Sequence, residues 1–147
     1  MTNSPQKNLA ILVGGGPAPG INSVISAATI RAQLEGVNVL GIRDGFQWLM
    51  QGNVEHVHPL TIDEVSRIHF RGGSHIGIAR ANPTKDPQLL EAAVISLLRL
   101  NVSRLVTIGG DDGRAGQRAL GRTCPQAAGR GQPGPGRGGA GTARRDR

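Results

Sequence analysis

Five consecutive apolar residues, Leu9-Ala10-Ile11-Leu12-Val13, run straight into Gly14-Gly15-Gly16-Pro17-Ala18-Pro19-Gly20. An unbroken apolar run of this length suits a strand covered on both faces, because an edge or one-sided strand would alternate with polar residues. Beyond the turn, Ile21, Val24, Ile25, Ala28 and Ala32 recur at helical spacing, and Gly36 closes the helix. Residues 37–42 read as a second strand. Thr61-Ile62-Asp63-Glu64 is a capping box that opens a short helix. Asp86-Pro87 supplies an N-cap and a first-turn proline for another, with Leu89, Leu90, Ala93, Val94, Leu97 and Leu98 along one side. Residues 104–108 form the next apolar run, which ends in Gly109-Gly110-Asp111-Asp112. Helices alternating with short apolar strands predict an α/β fold with a mostly parallel sheet flanked by helices.

Charge divides the 147 residues in two. Residues 1–112 carry nine Lys or Arg and nine Asp or Glu, whereas residues 113–147 carry eight Arg and one acid, Asp146, and hold the whole net charge of +7. The second part also has ten Gly and three Pro, with Leu120 its one large aliphatic residue. Such a segment buries too little apolar surface to offset its ordering entropy, about 1–2 kcal/mol per residue for the backbone. The expected organisation is a flexible N-terminus (1–7), a folded domain (8–112) and a disordered Gly/Arg/Pro-rich tail (113–147). The abrupt switch to residues with GC-rich codons suggests a shifted reading frame near Asp112. The competing reading is an RNA-binding Arg/Gly tail, but it lacks interleaved Phe or Tyr for base stacking, so nucleic acid is not an expected partner. The single cysteine, Cys124, excludes an intrachain disulfide. No apolar run reaches the ~20 residues of a membrane span, and there is no signal-peptide core, so a cytoplasmic protein without membrane contact is expected.

The glycine turn after residue 13 lies between a buried strand and a helix. There backbone can approach a phosphate closely, and the helix offers free N–H groups and a partial positive charge. It is neither a dinucleotide fingerprint, since Pro19 stands where the third glycine would be, nor a Walker A loop, since Ile21 replaces the lysine. A purely structural tight turn is the alternative. Asp111 and Asp112, after a second strand, suit Mg²⁺ shared with substrate phosphates; the alternative is a strand-end turn using Asp for hydrogen bonds. The Gly-rich stretch 71–80 ends in Arg80, suited to a charge-assisted bond with a phosphate oxygen. His69 and His75 have no partner at metal-ligand spacing and are read as non-functional, and His56 and His58 alternate on an expected strand edge without an assigned role. Trp48 is read as packing.

Three motifs in this order, Gly15-Gly16-Pro17-Ala18-Pro19-Gly20-Ile21-Asn22, Gly72 through Arg80, and Gly109-Gly110-Asp111-Asp112, resemble those of the phosphofructokinase family. Gly41-Ile42-Arg43-Asp44-Gly45-Phe46 matches the family's segment after the second strand. The resemblance covers residues 8–112. It implies phosphoryl transfer to the 1-hydroxyl of fructose 6-phosphate, giving fructose 1,6-bisphosphate in glycolysis, by an enzyme that assembles as a homo-oligomer. By motif it implies that the Gly15 backbone, Arg80, Gly110, Asp111 and Asp112 bind the donor phosphates and that Asp111 holds Mg²⁺.

Within the resemblance, Asp112 stands where ATP-using members of the bacterial allosteric type carry glycine and pyrophosphate-using members carry Asp. A carboxylate fills the space of a nucleotide's α-phosphate and adds like charge, worth ~1 kcal/mol at 4 Å in water and ~4 kcal/mol at an effective dielectric of 20. Pro17 likewise resembles the pyrophosphate-type loop. Pyrophosphate is therefore the expected donor, with ATP the alternative. The family's catalytic Thr-Ile-Asp-Asn-Asp motif does not follow Asp112, so no catalytic residue is assigned. The chain is expected to be an inactive donor-site part of the enzyme, or a non-catalytic binder of pyrophosphate and Mg²⁺. An uncovered sheet edge is expected to make it poorly soluble.

Overall fold

A computed structural model describes residues 7–110, 115, 116 and 118–120. Four strands form one sheet in the order β3-β2-β1-β4: β1 (Asn8–Gly14), β2 (Asn38–Ile42), β3 (Val57–Leu60) and β4 (Val102–Gly109). β1 pairs in parallel with β2 and with β4, while β2 pairs antiparallel with β3. The expected mostly parallel sheet is thus observed. β3, the outer strand that carries His58, tolerates Pro59 because an edge strand has a ladder side with no partner to serve.

Three helices, α1 (Ile21–Leu34), α2 (Ile62–Val65) and α3 (Pro87–Arg99), carry the connections. Two short 3-10 turns, Leu49–Gln51 and Pro83–Lys85, lie in the connections. The N-cap bonds read from the sequence are formed, although the Glu64 carboxylate bonds His58 and His75. Thr61 Oγ1 accepts from the Glu64 N–H at 3.3 Å, and Asp86 Oδ1 accepts from the Gln88 N–H at 2.9 Å. At the end of α1 the Gly36 N–H bonds to Gln33 O and the Val37 N–H to Ala32 O, both at 2.9 Å, the paired bonds of a Schellman cap around left-handed Gly36.

β1 shows why its apolar run is unbroken. Leu9, Ile11 and Val13 point into a core with Ile21, Ile25 and Ala32 of α1 and Val65 of α2. Ala10 and Leu12 point into a second core with Phe46, Leu49 and Ala93, Val94 and Leu97 of α3. Each helix face differs slightly from its expected one. In α1 Val24 is 47% exposed while Asn22, Ser26 and Thr29 are buried, because the buried stripe centres on Ile25 and Thr29. In α3 Leu98 is exposed and Ser96 is buried, where its single O–H lies between two carbonyl acceptors, Ala92 O at 2.8 Å and Leu49 O at 3.1 Å.

Packing runs past the change in composition. Residues 115, 116 and 118–120 are helical, Ala119 and Leu120 are buried, and Leu120 belongs to the α3-side core. Within the stretch expected to be a tail, Leu120 thus has a place in the same core as Leu105. The remainder of that expectation falls on residues 113, 114, 117 and 121–147, outside the described residues, as are Asp111, Asp112 and residues 1–6. Among the described residues no helix is long and apolar enough to cross a membrane.

Candidate functional site

Sheet order places the site. From β1 the chain moves outward to β2 on one side, and it returns to add β4 on the other. The carboxyl ends of β1 and β4 therefore flank the point where strand order reverses, the position at which open α/β sheets bind ligands. Both glycine turns lie there. Gly14 pairs with Gly109, so the turn after β1 and the turn after β4 leave the sheet side by side. A Cβ on Gly15 would stand 3.2 Å from the Gly110 N, which shows how closely the two backbones approach.

Arg80 reaches the same edge by a different route. Residues 71–80 fold back along the sheet end, and Ala79 forms a parallel bridge with Gly14. A Cβ on Gly16 would stand 3.4 Å from Arg80 Nη2, so the exposed guanidinium lies against the first glycine turn. Gly15, Gly110 and Arg80, which the sequence singled out, are brought together. The Gly15 N–H donates to Ala79 O at 3.3 Å. Asp111 and Asp112 follow Gly110 directly in the chain but lie outside the described residues.

The start of α1 is suited to an anion. Its N-cap is Gly20 in the left-handed conformation, no side chain caps it, and its first turn has no acidic residue. Its uppermost N–H groups and dipole therefore face outward without a local carboxylate to neutralise them. A cleft of about 420 Å³ opens beside it, lined by Pro17, Ala18, Pro19 and Gly20 on one wall and Arg71, Gly72 and Gly73 on the other.

Residue types that sequence reasoning passed over hold this arrangement. Asn22, 3% exposed, donates from Nδ2 to Arg71 O at 2.9 Å and accepts the His75 N–H at 2.8 Å. His75 Nε2 lies 2.6 Å from Glu64 Oε1, and His58 Nε2 lies 3.0 Å from Glu64 Oε2. Burial pushes the Glu64 carboxyl up, but the hydrogen bonds from His75 and His58 and their charges outweigh it and hold it below its ordinary value. His75 and His58 thus have a structural role on α2, and only their convergence on Glu64 reveals it. Trp48 packs as expected: it stacks on His56 with centroids 3.9 Å apart, and its Nε1–H donates to Asp44 Oδ2 at 3.1 Å. Asp44 in turn donates its N–H to Ile76 O at 3.0 Å. Among the described residues no group of three His, Cys, Asp or Glu could hold a metal ion.

The family model for phosphofructokinase matches residues 8–130. The chain belongs to the phosphofructokinase family. That match, like buried Leu120, reaches beyond residue 112. The pyrophosphate–fructose 6-phosphate 1-phosphotransferase of Thermotoga maritima is 54% identical over 106 residues, covering 72% of this chain and 25% of its own length. The ATP-dependent 6-phosphofructokinase of Lysinibacillus sphaericus is 34% identical over 114 residues, covering 78% of this chain and 35% of its own. Among solved structures, the T-state phosphofructokinase of Pichia pastoris superposes with a TM-score of 0.76 at 25% identity, over 86% of this chain and 13% of the other. The chain thus spans about a quarter of the Thermotoga phosphofructokinase relative. Both donor types occur among its phosphofructokinase relatives.

Proposed function

We propose that this chain forms the donor-phosphate site of a phosphofructokinase that transfers a phosphoryl group from pyrophosphate to fructose 6-phosphate. The observation that carries the proposal is the meeting of Gly15, Gly110 and Arg80 at the strand-order reversal between β1 and β4, beside the uncapped start of α1. Helix-start amides and a guanidinium held beside strand ends suit phosphoryl transfer, because positioning and charge neutralisation supply most of the catalysis.

Pyrophosphate rather than ATP is supported by Asp112 and by the higher identity to the relative named for pyrophosphate, 54% against 34%. Mg²⁺ suits the residues at hand. The carboxylates of Asp111 and Asp112 directly follow Gly110, and Mg²⁺ is ordinarily held by one or two carboxylates with substrate phosphates and water, so a larger protein cage is not needed. Bound there, the ion would neutralise donor charge. The chain contains no Thr-Ile-Asp-Asn-Asp sequence, so donor binding is the function proposed for these 147 residues, and turnover for a protein that also supplies that motif and an acceptor site. A homo-oligomer and a cytoplasmic setting complete the proposal.

Calorimetric titration of the chain in Mg²⁺ with pyrophosphate and with ATP tests it. Tighter binding of pyrophosphate is expected, and Arg80→Ala is expected to weaken it about tenfold or more, the value of one charge-assisted hydrogen bond. Preference for ATP would overturn the donor assignment. Equal binding by the Arg80→Ala variant would overturn the site.

A further inference from the structure

We infer that Asn22 is a positioning residue that sets where Arg80 stands, by latching the 71–80 segment to the start of α1. The inference deepens the donor-site reading proposed above. Asn22 lies in the first turn of α1, two residues past the glycine turn, and is buried although polar. Its amide serves both ends of one arc, since Nδ2 donates to Arg71 O at 2.9 Å and Oδ1 accepts from the His75 N–H at 2.8 Å. One planar group thus fixes the separation of residues 71 and 75.

The arc between them contains Gly72 and Gly73, the latter at φ +78°, and a Cβ on either would meet nothing within 4 Å. Outside Asn22, His75 is held by Glu64 at 2.6 Å, buried Ile76 accepts at its O from the Asp44 N–H at 3.0 Å, and Ala79 bridges to Gly14 and accepts at its O from the Gly15 N–H at 3.3 Å. Asn22 is the one residue in this set that sits on the same element as the phosphate-facing helix start. It therefore couples the glycine turn to the arginine that faces it across Gly16. An amide is needed for this role: an aspartate would accept from His75 but could not donate to Arg71 O, and would set a carboxylate against that carbonyl.

Two measurements on the 147-residue chain test the latch. The first is amide hydrogen exchange without ligand. Asn22→Ala and Asn22→Asp are expected to raise exchange at His75 through Ala79 at least tenfold while amides of β1 keep their protection. Unchanged exchange in the arc, or equal loss in β1, would overturn the inference, the second because it would mark a general structural role. The second is pyrophosphate titration in Mg²⁺. Asn22→Ala is expected to raise Kd about tenfold in the wild-type background and by less than twofold in Arg80→Ala; equal effects in both would overturn the coupling to Arg80. If the unsubstituted chain fails to bind pyrophosphate, the donor-site reading falls, and the exchange measurement still decides whether Asn22 holds the arc.

Discussion

Gly14 and Gly109 face each other across the parallel β1–β4 pair, and a side chain on Gly109 would run into the Gly14 carbonyl oxygen. The close approach allows two glycine turns separated by almost the whole domain to form one edge. Gly109 also sits at φ +142°, a conformation that L residues rarely adopt. Gly109→Ala is therefore expected to cost about 2–3 kcal/mol of stability, from strain and collision together. Gly110→Ala is the comparison, because a Cβ there would meet nothing within 4 Å, and a change below ~1 kcal/mol is expected. Urea unfolding of the two variants checks the difference, and equal losses would contradict it.

Asp112→Gly is expected to shift donor preference toward ATP. Removing the carboxylate takes away a like charge worth roughly 1–4 kcal/mol against a further phosphate, so the ratio of pyrophosphate to ATP affinity should fall by about five- to a thousandfold. Parallel titrations with both donors measure the ratio. An unchanged ratio would show that Asp112 does not select the donor.

Leu120→Ala tests whether the folded domain continues beyond the change in composition. Leu120 is 2% exposed and packs in the core shared by α3 and Leu105. Its truncation is expected to cost about 2–4 kcal/mol, the range for a buried Leu→Ala change. A neutral substitution would return the packing boundary to residue 112.

The ionised Glu64 bridges His58 and His75, so its contribution to stability depends on pH. Its pKa is lower folded than unfolded, so the stabilisation is present above the ordinary glutamate value of 4.5 and is lost as pH falls through the lower folded value. The melting temperature of the chain is expected to exceed that of Glu64→Gln at neutral pH, by an amount limited by the exposure of the cluster. The two should converge below pH 4.5. A gap that persists in acid would assign the effect to packing.

Local rules made most of the elements legible. The apolar runs of β1 and β4, the capping residues Thr61 and Asp86 and the closing Gly36 each act through neighbours within a few residues, and each formed where its chemistry required. The same locality limited the reading of faces. Val24 fits the apolar spacing of α1 but faces solvent, and Asn22 and Thr29 are buried, because which side of α1 is covered depends on where β1 and α2 lie.

For the site, residue type and order marked Gly15, Gly110 and Arg80, because glycine beside a strand end and a nearby guanidinium are requirements written in the residues themselves. Their convergence was decided only by tertiary structure: β4 adds to β1 on the side away from β2, setting residue 109 against residue 14. Glu64, His58 and His75 carry no spacing signal, and Asn22 meets Arg71 and His75 some fifty positions away in the chain. Such contacts depend on how the chain returns to the sheet edge, which no short stretch of sequence encodes. The sequence alone thus marked the glycines and the arginine as candidates, and the fold decided which of them meet and what holds them in place.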